Sequence, residues 1–507
     1  MHITPELNSS ENRRLCIYNM FPRRYDSILQ MIAHLPKIKE YGFNFVWLNP
    51  IHPATKETYH GDARTQSFYA MVDYDHYSEF LPDASDDKII EFTTAAKKLG
   101  LTPMFDLVLG HIGKGASIIG RHPEFFKLND SSNYSDVVGF DYGTNDLFDQ
   151  IFETFWRPFI NKYIKLGFTG VRVDQAKPNK LPPYAQKKIY DYIKNSSSIS
   201  CVIFAEVLFD RLKVSDVSNK LRSTGITHIT NSLYWAPCDS NWNKGDAQLH
   251  EIGQKTLACG GNGGTIGFAG FHDGLTVACK VHENFAYSAL GLSNITAKAK
   301  RELKAQLKLG GAGENDINNL VNDNYLYQNI SRQCEKIFAS FDDTAKENHC
   351  RLIKQKLAMV ALVSDGGWYL MSGDEYGCTS HCSVFQENYF GGTDLDKRWG
   401  GEYDFTMFIQ FLNKIILSKL PVVQPGEWCE LFFLEKLRDV FIIFKHFKNF
   451  PTQAFLLNIG VRENIFISSD LYQEIKTLSI HSKDLQIVHY GIEAQDQKNM
   501  MFDLPGI

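Results

Sequence analysis

Four short runs of this chain end in ionisable side chains: Phe105-Asp-Leu-Val-Leu-Gly-His111, Gly170-Val-Arg-Val-Asp174, Ile203-Phe-Ala-Glu206 and Phe268-Ala-Gly-Phe-His-Asp273. Arg172 and Asp174 are two apart in a strand-like run, so their side chains lie on the same side of it. The guanidinium can then hydrogen-bond the carboxylate and keep it ionised, as attack on an anomeric carbon requires. Glu206 emerges from the apolar Ile203-Phe-Ala, where burial would favour the protonated form and suit a general acid. Asp106, His111, His272 and Asp273 are of the types that bind sugar hydroxyls and steady an oxocarbenium-like transition state. Singly, each has a plainer reading: a structural ion pair for Arg172 and Asp174, a loop cap for Glu206, a loop contact for His272 and Asp273. Together, in this order, they point to carboxylate chemistry on a sugar.

Such groups must be carried by elements that converge. From Cys16 onward, short apolar runs alternate with helix-period segments, the pattern of a parallel sheet wrapped by helices. Strands are expected at 16–20, 43–48, 102–109, 170–174, 201–206, 227–231, 265–270 and 367–371, with helices over 150–166, 184–195 and 352–363 among those between them. A further helix should be capped and charged by Ser85-Asp-Asp, bury Ile89, Phe92, Ala96 and Leu99, and stop at Gly100. Eight strands suit a closed (β/α)8 TIM barrel, an α/β fold whose strand C-terminal ends share one face. A doubly wound open sheet would instead gather its site at one switch point. Residues 1–419 read as the barrel, with a short insertion at 112–142 and a helical one at 283–350 (stretches at 297–309 and 326–341). Residues 420–507 read as a small antiparallel β-domain, with strands at 439–445, 453–458 and 463–467.

A net charge of −5 with 22% charged residues leaves no basic excess to neutralise phosphates, which argues against nucleic-acid or anionic-membrane partners. No apolar run is long enough to cross a bilayer. Met1 to Arg14 lacks the apolar core of a secretory signal, and the ten cysteines are scattered rather than arranged as a disulfide scaffold. Together these suggest a cytoplasmic protein. Cys378, His381 and Cys382 lack a second ligand pair at zinc spacing, so no zinc site is expected.

The four runs resemble the sequence signatures of the α-amylase superfamily, glycoside hydrolase family 13. The resemblance implies Asp174 as nucleophile, Glu206 as acid/base and Asp273 as transition-state stabiliser. It also implies that Arg172, His111, His272, Asp106 and Lys177 bind substrate, and that Tyr69 in Ser67-Phe-Tyr-Ala70 stacks on sugar. Supporting runs are Val46-Trp-Leu-Asn-Pro50, Lys98-Leu-Gly-Leu-Thr-Pro103 and Ser372-Gly-Asp-Glu-Tyr-Gly377. Trp235, after strand six, is a further candidate for stacking on a pyranose face. Within the superfamily, Asn19-Met-Phe-Pro-Arg23, His34-Leu-Pro36, Asn49-Pro-Ile-His-Pro53 and His122-Pro-Glu-Phe-Phe126 look most like maltosyltransferases that use maltose 1-phosphate. His272-Asp-Gly274 is similar instead to phosphorylases and debranching members.

Gly110 stands where many members place a calcium-binding asparagine, Phe271 replaces the asparagine before His272, and Pro178 replaces the histidine after Lys177. No cofactor or metal is therefore expected; these replacements argue against a calcium site without closing that alternative. The reading is a retaining enzyme acting on an α-glucan or maltooligosaccharide, with hydrolysis, transfer to a sugar and phosphorolysis all open, as is its oligomeric state. Two rivals stand beside it. One is a non-catalytic carbohydrate- or protein-binding barrel, which usually lacks one of the three acids. The other is metal-assisted hydrolysis with His111, Asp106, His272 and Asp273 as ligands.

Overall fold

A computed structural model describes residues 14–57, 67–130, 136–176, 181–196, 201–207, 223–230, 264–270, 276–280, 334, 336–378 and 404–418, and strand segments 428–433, 440–446, 452–458 and 485–491. In chain order the first elements are β1 (Leu15–Met20), α1 (Ile28–Glu40), β2 (Phe45–Leu48), α2 (Asp86–Lys98) and β3 (Thr102–Leu107). Next come β4 (His111–Gly113), α3 (Ser117–Arg121), β5 (Val137–Gly139), α4 (Asn145–Ile151), α5 (Arg157–Lys165), β6 (Gly170–Val173), α6 (Pro183–Ser196) and β7 (Val202–Ala205). They are followed by β8 (His228–Thr230), β9 (Thr265–Phe268), α7 (Val277–Lys280), α8 (Asp343–Val363), β10 (Gly367–Met371) and α9 (Thr406–Ser418).

Eight of these strands close a parallel barrel in the order β1-β10-β9-β8-β7-β6-β3-β2. The remaining two, β4 and β5, form a separate antiparallel pair inside the 112–142 insertion. The barrel follows from the period-2 geometry of its strands. Leu15, Ile17, Phe45, Trp47, Met104, Val202, Phe204, Ile266, Phe268 and Tyr369 alternate along them and pack together as the barrel's filling. The intervening residues, among them Tyr18, Val46, Phe105, Val171, Ile203 and Trp368, join the larger core under the helices. Both faces are apolar, so the strands read as nearly continuous hydrophobic runs.

Helix α2 forms as its sequence dictates. The Ser85 side chain accepts from the Lys88 amide, and Asp86 and Asp87 occupy the first turn. Ile89, Phe92 and Ala96 are buried, and Gly100 ends the helix at φ +72°. Between 145 and 165 the expected single helix is α4, a π-helical turn Phe152–Trp156 and α5 in succession. Helix α8 begins at Asp343 rather than 352, because the Asp342 carboxylate caps the Ala345 amide at 2.8 Å. Of the 283–350 insertion, the stretch at 297–309 lies outside the described residues.

The C-terminal segments form a four-stranded sheet of β11 (Trp428–Phe433), β12 (Val440–His446), β13 (Thr452–Asn458) and β14 (Leu485–Gly491). The expected antiparallel sheet holds for β11, β12 and β13 but not throughout, since β13 and β14 pair in parallel. A parallel neighbour needs a crossover of a dozen or more residues, and 459–484 supplies that length. The strand expected at 463–467 lies outside the described residues. No helix among the described residues is long and apolar enough to cross a membrane.

Candidate active site

The acids are carried beyond the strand ends by continuation of the parallel ladder. The Asp174 amide donates to the Leu107 carbonyl at 3.0 Å and the Glu206 amide to the Val173 carbonyl at 2.8 Å. The Ala176 amide returns to the Glu206 carbonyl at 3.0 Å. Asp106, Arg172, Asp174 and Glu206 keep the parity of the inward-facing residues Met104, Gly170 and Phe204 and so top the barrel's filling.

Arg172 is the centre of this layer. Its Nη1 lies 2.9 Å from Asp106 Oδ1 and 2.9 Å from Asp174 Oδ1, and its Nη2 2.8 Å from Glu206 Oε1. The side chain of Arg172 is 2% exposed, those of Asp106, Asp174 and Glu206 0%, 8% and 11%. Burial works against the guanidinium charge, but Asp106, Glu206, Tyr69 and Asp174 outweigh it and hold Arg172 firmly protonated. Burial pushes the Asp106 carboxyl above the ordinary aspartate range, against the opposing pull of Arg172 and the Tyr69 hydroxyl. Glu206 is buried on the inward face above Phe204, as Ile203-Phe-Ala leads one to expect, but a cation from another strand shares that setting. Ile203 and Ala205 pack outward under the helices, Phe204 packs inward beneath Glu206, and the Glu206 carboxylate takes the Arg172 bond and the Gln175 amide at 3.1 Å. Gln175 has φ +42°, a left-handed conformation that an L residue adopts at a cost.

Tyr69, Asn49, Asn19 and Trp47 steady these four side chains. Tyr69 donates its hydroxyl to Asp106 Oδ2 at 2.7 Å and accepts from Asn49 Nδ2 at 2.8 Å and from Arg172 Nη1 at 3.3 Å. Asn19 Nδ2 in turn donates to Asn49 Oδ1 at 2.7 Å, and Trp47 Nε1 to Asp106 Oδ2 at 3.2 Å. The guanidinium also lies 5.0 Å from the Trp47 ring centre. His111 Nε2 is 3.1 Å from the Tyr69 carbonyl, which can only accept, so Nε2 carries the proton.

Of the residues chosen from sequence, the structure thus brings together Tyr69, Asp106, His111, Arg172, Asp174 and Glu206. Lys177, Trp235, His272 and Asp273 lie outside the described residues. Trp47, Asn19, Asn49 and Gln175 were not picked out as site residues. The available signal was a buried-type polar residue two positions beyond an inward apolar one at a strand end, as in Ile17-x-Asn19 and Trp47-x-Asn49. Among the described residues no three His, Cys, Asp or Glu side chains are grouped to hold a metal ion. Asp106, a ligand in the metal-assisted rival, has its carboxylate engaged by Arg172, Tyr69 and Trp47.

Chemically, three buried carboxylates around one fixed cation make a negatively biased layer with two acids bound to opposite nitrogens of one guanidinium. Such a field favours a substrate that develops positive charge.

No protein-family model matches this chain, and no curated protein matches it in sequence. Solved structures of similar fold include an alpha-amylase from Lactobacillus plantarum, 19% identical over 86% of this chain and 86% of that one, with a TM-score of 0.57. A maltogenic alpha-amylase, AmyB, from Thermotoga neapolitana is 18% identical over 89% of this chain and 86% of that one, with a TM-score of 0.57. An alpha-amylase from Geobacillus thermoleovorans, complexed with acarbose, is 13% identical over 90% of this chain and 88% of that one, with a TM-score of 0.58. At these identities the likeness establishes a shared fold along most of the chain.

Proposed function

We propose that this protein is a retaining glycosidase or transglycosidase of the α-amylase type, acting on an α-glucan or maltooligosaccharide. The observation that carries the reading is the binding of Asp174 and Glu206 to the two terminal nitrogens of Arg172, at 2.9 and 2.8 Å. One planar group thereby sets the spacing and orientation of both acids, as a two-carboxylate mechanism needs. Asp174 attacks the anomeric carbon while Glu206 gives its proton to the departing oxygen. A covalent glycosyl ester forms, and the deprotonated Glu206 then takes a proton from water or a sugar hydroxyl as that acceptor releases the ester. The excess of carboxylate over guanidinium stabilises the oxocarbenium-like charge in both steps. Asp273, which follows β9 in the sequence and lies outside the described residues, supplies a third acid in this reading. The carbohydrate-bound relative of the same fold, complexed with acarbose, supports a sugar as ligand.

The test is incubation of the purified protein and of Asp174→Ala with a maltooligosaccharide ladder, with and without phosphate, and with maltose 1-phosphate plus a glucan acceptor. Products from the wild type but not the variant are expected. Shorter, longer or phosphorylated chains then distinguish hydrolase, transferase and phosphorylase, and activity retained in excess chelator excludes the metal-assisted route. A wild type that alters none of these substrates overturns the proposal.

A further inference from the structure

Just after β10, the turn Asp374–Tyr376 places a carboxylate between two points of the chain on either side of the His272-Asp273 pair. Asp374 Oδ1 accepts the Val277 amide at 3.1 Å, at the first residue of α7. Asp374 Oδ2 has no hydrogen-bond partner among the described residues. It lies so close to Gly270 that a Cβ there would come within 2.6 Å of it and within 3.2 Å of the Val277 nitrogen. Gly270 and Val277 therefore flank one carboxylate. Only residues 271–276 separate them in sequence, and His272 and Asp273 are among these.

The turn that presents Asp374 is itself fixed. Glu375 Oε2 accepts the Gly373 amide at 2.8 Å, and Glu375 Oε1 accepts the Tyr18 hydroxyl of β1 at 2.5 Å. Asp374 is 1% exposed. Burial pushes its pKa up to about 6, and the Val277 amide, Arg24 and Lys356 oppose this. A carboxyl is an expensive group to enclose for the sake of one backbone amide, so the position calls for a role beyond capping a four-residue helix.

We infer that Asp374 is a positioning residue: its bond to the Val277 amide and its close packing against Gly270 fix the chain on either side of the stretch that carries Asp273. The inference rests on the proposed role of Asp273. It accounts for the glycine at 270, since any side chain there would displace the carboxylate.

The test compares Asp374→Ala, which loses the acceptor, with Asp374→Asn, which keeps one, and with Gly270→Ala, which pushes the carboxylate aside. Amide hydrogen exchange read by mass spectrometry should quicken over 264–280 in Asp374→Ala and Gly270→Ala and stay near wild type in Asp374→Asn. With maltooligosaccharide as substrate, kcat should fall about 100-fold in Asp374→Ala, as misplacement of a reacting group by about 1 Å does, with KM changed less than about threefold. In an Asp273→Ala background the same substitution should cost less than about twofold, because the group it positions is gone. Unchanged exchange at 264–280 overturns the inference, and so does an undiminished kcat effect in the Asp273→Ala background. If the wild type turns over no α-glucoside, the proposed function fails, while the exchange comparison still decides the positioning role. Should Asp374→Ala not fold, Gly270→Ala carries the same comparison.

Discussion

Replacing Arg172 with methionine removes a charge while keeping most of an unbranched buried stem. Three carboxylates then lose their common partner at 2.8 to 2.9 Å, all within a layer no more than 11% exposed. Removing one member of a buried ion pair costs about 3–5 kcal/mol. Here the orphaned groups keep other donors, Asp106 those of Tyr69 and Trp47 and Glu206 that of Gln175. The expected penalty is therefore about 4 kcal/mol at pH 8 rather than three separate penalties. It should also depend on pH. Without the guanidinium the enclosed carboxylates repel one another, and their folded pKa values rise above the unfolded ones. A raised carboxyl pKa means that the folded state holds extra protons, so the variant is relatively secure in acid and weakens as pH climbs. The penalty should shrink to about 2 kcal/mol near pH 5. Urea unfolding followed by tryptophan fluorescence, at several pH values for wild type and variant, measures both quantities. Arg172→Lys separates charge from shape: it should recover much of the stability but little turnover, since one ammonium cannot bind carboxylates at both ends of a planar fork. A penalty below about 1 kcal/mol, or one that does not change with pH, refutes the view that Arg172 holds the three acids.

Tyr69→Phe leaves the Asn49 amide, 2.8 Å from the lost oxygen, without that acceptor and takes a donor from Asp106; a stability loss of about 1–3 kcal/mol is expected in urea unfolding. Glu375 is enclosed beside Tyr18, and burial raises its pKa from 4.5 to about 7, so its protonated form is the better tolerated one. The stability it contributes is complete below about pH 4.5 and is lost as pH rises through about 7. Glu375→Gln should remove up to about 3 kcal/mol of that decline, read as a flatter stability profile between pH 5 and 8. Gln175→Gly relieves the left-handed backbone at φ +42° and should raise stability by about 0.5–1 kcal/mol in the same assay while loosening the amide that holds Glu206.

The places of Asp106, Asp174 and Glu206 on their strands were legible because the signals are local. A strand's period of two puts Arg172 beside Asp174, and a parallel strand's apolar run announces where Asp106 and Glu206 leave it. Helix α2 was legible for the same reason, its start at Ser85 and its stop at Gly100 lying within its own few residues. The burial of Glu206 was legible in Ile203-Phe-Ala, but its Arg172 partner was not, because that guanidinium comes from another strand. The parallel pairing of β13 with β14 was equally hidden, since strand direction in a sheet depends on where the chain returns.

By itself, then, the sequence determined the alternation of strands and helices, the closed-barrel count and the presence of carboxylates at strand ends. These follow from backbone periodicity and from side-chain polarity over a few neighbouring residues. Only the tertiary structure decided how the groups are wired. Asn19 reaches Asn49 across 30 residues, Trp47 reaches Asp106 across 59, and Tyr18 reaches Glu375 across 357. Hydrogen bonds of this kind depend on barrel closure bringing distant strands into register, and no local pattern records which donor will meet which acceptor.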